Sequence, residues 1–375
     1  MNLLESIEDQ NEDVFALAKH VIATTGKNTN VVFSPASINI ALSFIAASSS
    51  DAIREQIVSL LDASSSDELN AVASHVLSTI LADNSANGSP LISAANGVWA
   101  DKYLPLNPSF MELLTTSYNA VFNPVDFRTK ASEVTKEVNS WIEKQTKGLI
   151  TEILPPTYVP ALTDVIFANA LYFNGRWDDK FEASLTKEDD FHLLDGTIVR
   201  VPFMTNEEDL FLRKIYVCDG FKVLKLPYSQ GSEYSRAFSM EIYLPDEKDG
   251  LSAMLESFDS DPELWNGNMS REWADICKLK VPKFQFSFEF EASEALKGLG
   301  LDLSMMKIFH KCRVEVDEEG TKAVAATVVP GCGGCGPAPR TDDFVADHPF
   351  LFVVKEKKSG LVLFLGQVLD PSITI

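Results

Sequence analysis

The chain has 375 residues, of which 45% are hydrophobic and 23% charged, a composition typical of a globular protein with an ample core. Its 54 acidic residues outnumber the 32 basic ones and give a formal net charge of −22, which argues against nucleic acid and anionic membranes as partners. No window of the sequence is long and apolar enough to predict a membrane-spanning helix.

The first part of the chain is predicted to be mostly helical. Apolar residues at helical spacing and a Ser that can act as an N-cap carry this prediction. The predicted helices cover residues 13–22, a buried helix that opens at Phe33-Ser34-Pro35, residues 67–81 with Ser66 as the N-cap, residues 110–122 and residues 133–146. Between them, residues 91–99 predict a strand.

From residue 165 the pattern changes to strands. Residues 165–173 form an almost continuous apolar run, as expected for a strand that is covered on both faces. Leu194-Asp195-Gly196-Thr197 predicts a hairpin turn, and residues 281–290 alternate Phe with polar residues at a period of two. Further strands are predicted over 223–228, 238–244, 350–354 and 361–365. No repeat, low-complexity tract or linker interrupts the chain, so we expect one α+β domain over residues 1–375.

A segment of small residues follows Glu318-Glu319 and runs into a stretch rich in Gly, Pro and Cys. In a strand, alternate side chains point to opposite faces. One face would then carry only small or moderately sized side chains, those of Thr321, Ala323, Ala325, Thr327 and Val329. The other face would carry Lys322, where a charge is tolerable. A surface loop is the simpler alternative, but we interpret the segment as a loop that can become a strand.

Motifs for catalysis and metal binding are not found in the sequence. There is no Gly-x-Ser-x-Gly elbow, Walker loop or dinucleotide fingerprint, and the five histidines are scattered. Cys332 and Cys335 have the spacing of a metal-binding or redox pair, but no second pair completes a four-ligand zinc site. The flanking glycines do not favour the helix that a redox pair normally opens. We therefore expect no enzyme, no cofactor and no metal.

Four blocks of the sequence resemble one family. They are residues 30–38 (NVVFSPASI), 167–177 (FANALYFNGRW), 344–352 (FVADHPFLF) and 366–371 (GQVLDP). The blocks resemble those of serpins, and their wording is most similar to the leaderless plant serpins of the Z type. The resemblance implies a single α+β domain with three β-sheets, about eight or nine helices and an exposed reactive-centre loop over about residues 320–343.

The resemblance also implies a function, suicide-type inhibition of serine or cysteine endopeptidases. A protease cleaves the loop and forms an acyl-enzyme, the loop inserts into the central sheet as a strand, and the displaced protease is distorted before deacylation. The family's pattern places the reactive bond at Gly334–Cys335. It places the hinge and inserting segment at Glu318, Glu319, Gly320, Thr321, Ala323, Ala325, Ala326 and Thr327. It places the sheet-opening region at Ser34, Ser37, Asn169, Trp177 and His310.

The sequence departs from the family's pattern at several points. The connector between Leu303 and Lys307 is short, as if a helix and loop were missing, and Arg313 falls where a small or apolar strand residue is expected. Pro330 cannot donate to a central ladder, and Gly334 offers no side chain to a protease pocket. Arg340 lies too far downstream for productive trapping. A non-inhibitory serpin that acts by binding is therefore the alternative, followed by a thiol or metal role of the cysteine pair.

Partners and compartment are expected on similar grounds. The partner is a serine or cysteine protease, and we expect a monomer without a heparin-type cofactor, because the predicted helix 67–81 contains neither Lys nor Arg. Five cysteines without a paired framework suit a reducing compartment, and the N-terminus lacks the features of a signal peptide. We expect a cytoplasmic or nucleo-cytoplasmic protein, with non-classical release to the apoplast as the alternative.

Overall fold

The computed structural model describes residues 2–104, 108–156, 159–160, 162–206, 214–232, 235–260, 272–303, 306–320 and 341–373. Eight α-helices lie in this part of the chain: α1 (Leu3–Ala23), α2 (Pro35–Ser48), α3 (Asp51–Leu60), α4 (Ser66–His75), α5 (Pro108–Thr116), α6 (Phe127–Gln145), α7 (Leu251–Ser260) and α8 (Ala292–Gly298). A turn of π-helix, Val76–Ile80, prolongs α4, and 3-10 helices cover Ser85–Asn87 and Ala183–Leu185.

Fifteen β-strands lie in the same described ranges. They are β1 (Val31–Phe33), β2 (Leu91–Asp101), β3 (Val121–Val125), β4 (Val165–Asn174), β5 (Lys187–His192), β6 (Ile198–Met204), β7 (Lys214–Val217), β8 (Phe221–Pro227), β9 (Phe238–Pro245), β10 (Glu272–Pro282), β11 (Phe284–Glu291), β12 (Met306–Val316), β13 (Thr341–Val345), β14 (Phe350–Glu356) and β15 (Val362–Val368).

Five of the strands form one sheet in the order β11-β12-β4-β2-β3. β12 runs antiparallel to β11 but parallel to β4, and β4 runs antiparallel to β2. β4 and β12 are therefore a parallel pair at the centre of the sheet, although more than a hundred residues separate them in the chain. Nine of the ten residues of β4 are buried, which explains its almost continuous apolar sequence.

The other strands follow one hydrogen-bonded path in the order β1-β15-β14-β9-β8-β7-β10-β6-β5, with β13 parallel to β10. The β5–β6 hairpin is joined to this path by only two residue pairs, Val281 with Met204 and Pro282 with Phe203. It therefore forms a third group of strands beside the two larger sheets. The described structure confirms the expected α+β fold.

Helix α2 lies inside the molecule, packed against β4 and β15. Eleven of its fourteen residues are buried, because a helix that is apolar all round must be covered on every side. Its start is well defined by sequence. Pro35 occupies the first turn, where its missing N–H costs nothing, and the Ser34 side chain accepts the N–H of Ser37 as the N-cap.

Several element predictions are confirmed. Residues 165–173 lie in β4, the turn at 194–197 joins β5 to β6 with Gly196 at φ +83°, and the two C-terminal apolar runs form the antiparallel pair β14–β15. No α-helix among the described residues has both the length and the apolar character needed to cross a membrane.

Several element boundaries were predicted wrongly. Helix α1 begins at Leu3 and not at residue 13, and α6 begins at Phe127 and not at residue 133. The N-cap of α4 is Ser65, whose side chain accepts the N–H of Glu68. The helix predicted over 110–122 ends at residue 116, because Asn119 turns the chain with φ +45° and β3 begins at Val121. The strand predicted over 281–290 is two strands in different sheets, since Pro282 lacks the N–H that a continuing ladder needs.

Two further expectations differ from the structure. Thr341–Val345 form strand β13, so the last three residues of the loop predicted over about 320–343 belong to a sheet. Arg313 lies in an inner strand but is only half-buried, because the alternation of β12 buries Cys312 and Val314 and turns Arg313 to the other face. Its charge is therefore not enclosed in the core.

Candidate functional site

The candidate site is the seam between β4 and β12, together with the turn that follows β12. The parallel ladder of the seam runs from the pair Met306–Val165 to the pair Cys312–Leu171. It stops there, although β12 continues to Val316 and β4 to Asn174. The two strands are therefore paired through their first parts and no longer paired at the end that leads to Trp177 and Gly320.

A row of polar side chains crosses the middle of the seam. Asn96 on β2, Asn169 on β4 and His310 on β12 are register partners in three adjacent strands. Asn169 Nδ2 donates to Asn96 Oδ1 at 2.6 Å, and His310 Nδ1 lies 3.1 Å from Asn169 Oδ1. The Ser34 N–H donates to His310 Nε2 at 2.9 Å. Hydrogen bonds thus connect α2 to three strands of the sheet.

His310 is neutral in this row. Burial lowers the pKa of its imidazole to about 3. Nε2 accepts the Ser34 N–H, so the ring proton is assigned to Nδ1, which donates to Asn169. The thiol of Cys312 lies 3.1 Å from the same Nε2, and burial raises the pKa of this thiol. Opening the seam would break the His310–Asn169 bond, because these two side chains stand on opposite sides of it.

Ser37 contributes less directly to this row. Its N–H donates to Ser34 Oγ at 3.2 Å and so fixes the first turn of α2. Its own hydroxyl is buried and has no hydrogen-bond partner among the described residues. Ser37 therefore supports the position of Ser34, and through it the bond from the Ser34 N–H to His310.

The far end of the seam is built around Trp177. Its indole N–H donates to the Asp317 carbonyl at 3.0 Å, and its backbone N–H donates to the Glu319 carbonyl at 3.1 Å. The ring stacks on Tyr228 with centroids 4.6 Å apart and planes 16° from parallel. Trp177 thus fixes residues 317–319, which follow β12, through two hydrogen bonds, and its own ring is fixed by the contact with Tyr228.

Gly320 occupies a backbone conformation and a space that exclude other residues. Its φ is +123°, and it bridges to Arg176. A Cβ built on it would lie 2.4 Å from the Gly175 oxygen, 2.5 Å from the Trp177 nitrogen and 2.6 Å from the Arg176 Cα. The turn from Asp317 to Gly320 closes with backbone bonds in both directions. Glycine is required here because only it adopts this φ without a side chain that clashes.

Glu318 is held by two side chains from outside its own strand. Lys283 Nζ donates to it at 2.7 Å and Thr186 Oγ1 also at 2.7 Å. Partial burial raises the pKa of Glu318, but the hydrogen bonds from Lys283 and Thr186 outweigh this effect and hold it below its usual value. The Phe181 N–H donates to the Glu318 carbonyl at 3.0 Å. Glu319 is more exposed and pairs with Lys180 at 3.7 Å.

The structure brings all eight of the described predicted residues into two groups. Ser34, Asn169 and His310 meet at the middle of the seam, with Ser37 behind them. Trp177, Glu318, Glu319 and Gly320 meet at its far end. The remaining predicted residues lie outside the described part of the chain: Thr321, Ala323, Ala325, Ala326, Thr327, Gly334 and Cys335, together with Cys332.

Four residues that complete these groups were not predicted from the sequence. Asn96 had a detectable signal, since it is a polar residue inside the apolar strand pattern of 91–99. Thr186, Lys283 and Asp317 gave none, because their roles depend on contacts with residues that are distant in sequence or on a backbone carbonyl. No group of three or more metal-ligating side chains occurs among the described residues.

Comparisons with known proteins agree with this geometry. The family described as Serpin (serine protease inhibitor) matches residues 9–371. Serpin-ZX of Arabidopsis thaliana is 49% identical over 393 aligned positions, which cover 99% of this chain and 100% of that protein. The structure of Arabidopsis AtSerpin1 in its native stressed conformation matches with a TM-score of 0.89 at 48% identity, covering 99% of each chain. The chain belongs to the serpin family.

Another relative bears on the function. The probable non-inhibitory serpin-Z5 of Arabidopsis thaliana is 44% identical and is aligned over 98% of this chain and 85% of that protein. Family membership and fold support a role in protease inhibition generally, and they agree with the expectation that the chain is not an enzyme. The alignment with Serpin-ZX is longer than the 375 residues of this chain. Gaps in this chain are therefore required, and the short connector before Lys307 stays a prediction.

Proposed function

We propose that this chain is a suicide-type inhibitor of serine or cysteine endopeptidases, in which cleavage within residues 321–340 lets the preceding segment insert between β4 and β12. The observation that carries the proposal is the junction at Gly320. A tight turn with a glycine that tolerates no Cβ lies at the unpaired end of a parallel strand pair. A chain that reverses there can enter the seam antiparallel to both strands.

Strand pairing supports the direction of this change. Antiparallel ladders are slightly more stable per residue than parallel ones. An inserted strand would replace one parallel interface by two antiparallel interfaces. About a dozen residues bonded on both sides, at roughly 0.5–1.5 kcal/mol net per hydrogen bond, supply on the order of ten kcal/mol. That is comparable with the whole stability of a typical domain.

The residue roles belong to the same proposal. Gly334–Cys335 is the reactive bond, and the hinge begins at Glu318 and continues through Gly320 into the small residues beyond it. Ser34, Asn169 and His310 restrain the seam until it opens, and Trp177 holds its entrance. The proposed partner is a serine or cysteine protease. The monomeric state and a reducing, cytoplasmic compartment stay predictions.

A non-inhibitory serpin is the second candidate function. The similarity to the probable non-inhibitory serpin-Z5 supports it, as do two features of the sequence. Pro330 removes one ladder donor from the segment that would insert, and the connector before Lys307 is short. In this alternative the fold presents the loop for binding, and cleavage does not lead to insertion.

The deciding experiment compares the melting temperatures of intact protein and of protein nicked within residues 328–340 by a broad-specificity protease. Insertion predicts a large rise on cleavage, whereas an unchanged melting temperature contradicts the inhibitory mechanism and favours the alternative. Two matched variants sharpen the test. Ala325→Arg places a charge on the face that enters the core, and Ala326→Arg places it on the opposite face. We expect the first to abolish the rise and the second to retain it.

A stable covalent complex provides the second readout. Incubation with one trypsin-like serine protease, one subtilisin and papain, followed by denaturing gel electrophoresis, detects the acyl-enzyme as a band of higher mass. We expect such a band with at least one protease for the native protein and none for Ala325→Arg. A rise in melting temperature without any complex would mean that the loop inserts too slowly to trap these proteases.

A further inference from the structure

Three Asn–Gly steps lie in the described part of the chain, each in a different environment. Asn96–Gly97 is in the middle of β2, Asn174–Gly175 is at the end of β4, and Asn87–Gly88 is in the exposed turn before β2. The backbone nitrogen that follows an asparagine can attack the side-chain amide, and glycine shields this nitrogen least because it has no Cβ. The three steps share this chemistry, so the fold decides which of them reacts. Asn266–Gly267 lies outside the described residues.

The two steps in strands are held in place. Asn96 pairs with Asn169 across β2 and β4, and its Oδ1 accepts a hydrogen bond from Asn169 Nδ2 at 2.6 Å. Asn174 pairs with Leu91, and its Nδ2 donates to Tyr172 Oη at 3.1 Å. Both side-chain amides are thus engaged, and both backbones are part of a ladder. The amide carbon of either residue reaches the next nitrogen only when the sheet opens locally, which is costly in a core strand.

Asn87 is held much less firmly. It is exposed and ends a single turn of 3-10 helix, Ser85–Asn87. Its side chain makes no hydrogen bond to any described residue. The Gly88 nitrogen donates to the Ser85 oxygen at 3.0 Å, and this is the bond that must break before the nitrogen can attack. A short surface turn of this kind opens at a lower cost than a strand of the core.

The Asn87 carbonyl joins this turn to the loop that follows β8. It accepts the Ser232 N–H at 2.9 Å and the Ser232 hydroxyl at 3.2 Å. Gly231 lies against the same peptide, so closely that a Cβ built on it would be 2.2 Å from the Asn87 oxygen. At the start of the loop, the Ser229 N–H donates to the Arg176 oxygen at 2.7 Å. The loop 229–232 therefore connects the Asn87 peptide to the far end of the seam.

We propose that Asn87 is a site of spontaneous deamidation and that its isoaspartate product loosens the loop 229–232. The Gly88 nitrogen forms a bond to Asn87 Cγ, and the side-chain nitrogen leaves as ammonia after taking up the proton of the Gly88 N–H. Water then opens the ring at either carbonyl and gives aspartate or isoaspartate, so no other reactant is needed. Isoaspartate carries the main chain through its Cβ, which lengthens the backbone by one carbon where Gly231 leaves no room. This inference does not depend on the proposed function.

The experiment follows the three steps in the folded protein by peptide mapping with mass spectrometry during incubation at neutral pH. We expect the fraction converted at Asn87 to grow at least about ten times faster than at Asn96 or Asn174. In protein unfolded by guanidinium chloride the three rates should be similar, because only the local sequence then matters. Equal rates in the folded protein, or no conversion at Asn87 while the unfolded protein reacts, would overturn the assignment of the site.

Hydrogen exchange tests the effect on the loop. Ion exchange isolates the converted protein, because each conversion adds one negative charge. Exchange of the amides of residues 229–232 should be faster in this fraction than in the native protein. Asn87→Asp is the matched control, since it has the new charge on a normal backbone, and it should exchange like the native protein. Native exchange in the converted fraction, or equally fast exchange in Asn87→Asp, would overturn the role of the lengthened backbone.

A second variant separates the reaction from other changes that occur during incubation. Asn87→Gln keeps a side-chain amide, but its extra carbon would require a larger ring, so we expect no conversion at this position. Its amides in the loop 229–232 should still exchange at the native rate after the same incubation. Loosening of the loop in incubated Asn87→Gln would show that deamidation of Asn87 is not its cause.

Discussion

Replacing Gly320 by alanine is the sharpest perturbation that the hinge allows. The added Cβ would meet the Gly175 oxygen at 2.4 Å, the Trp177 nitrogen at 2.5 Å and the Arg176 Cα at 2.6 Å. All three are backbone atoms, so no flexible side chain can move aside. The segment 175–177 after β4 or the turn after β12 has to shift, and the φ of +123° has to change as well.

The expected cost follows from these two effects. A residue other than glycine in a sparsely populated backbone region costs about 1–3 kcal/mol. Relief of the overlaps by a backbone shift adds a further cost of about 1–3 kcal/mol. At about 2.1 cal/mol/K per residue, the entropy of unfolding of a chain of this length is roughly 0.8 kcal/mol/K. Gly320→Ala should therefore lower the melting temperature of the intact protein by roughly 2.5–7.5 °C.

Calorimetry at one scan rate checks this expectation, since unfolding of a protein of this size can be irreversible. Gly300→Ala is the matched control. Gly300 has φ +93°, and a Cβ built there meets no atom within 4 Å, so this variant carries the backbone strain without the overlaps. We expect a fall of about 1–4 °C for the control.

The nicked protein gives the second half of the test. Insertion would release Gly320 from its bridge to Arg176 and place it in an extended strand, where alanine is acceptable. The deficit of Gly320→Ala should therefore disappear after cleavage. An intact variant that melts within error of Gly300→Ala, or a deficit that persists in the nicked form, would refute this account of the hinge.

Two further predictions concern pH. The pKa of Glu318 is held low in the fold, so its contribution to stability is present above its unfolded pKa near 4.5 and is lost as the pH falls. In urea titrations, the difference in the free energy of unfolding between the native protein and Glu318→Gln should shrink from pH 7 to pH 4. A constant difference would contradict a stabilising ion pair between Glu318 and Lys283. His310, with its pKa lowered to about 3, takes up its proton mainly on unfolding, so it destabilises the fold progressively below about pH 6.5. Between pH 6 and pH 4 the native protein should lose roughly 2 kcal/mol more than His310→Gln, whereas equal losses would mean that His310 is charged in the fold.

Local features of the site could be predicted from the sequence, but its assembly could not. Phe33-Ser34-Pro35 is a local signal for the start of a helix, and the continuous apolar run of β4 is a local signal for a strand covered on both faces. The bond between the Ser34 N–H and His310, by contrast, joins residues 276 positions apart. Its partners became predictable only through a family resemblance, since no local pattern encodes which strands become neighbours.

The errors at element ends have a similar origin. Ser65 and Ser66 are both acceptable caps, and the choice between them depends on Glu68, which also bonds Ser6 and Ser64. The split at Lys283 separates two strands that alternate in the same way and differ only in the sheet they join. Lys283 lies between these two strands and there pairs with Glu318. The ion pair could not be predicted from the sequence, because it depends on where one strand ends and the next begins.

The contacts at the seam set the rate of the proposed insertion, not its direction. The His310–Asn169 bond and the bonds that Trp177 and Phe181 make to residues 317–319 number four, and at about 0.5–1.5 kcal/mol each they contribute a few kcal/mol. The parallel ladder that would also be lost covers seven residue pairs. A dozen inserted residues would form new bonds on both sides and exceed this sum. In the proposed mechanism the fold therefore stays in the uninserted state because its restraints must break before the new ladder forms. Weakening one restraint should accelerate insertion while leaving the melting temperature of the inserted form unchanged.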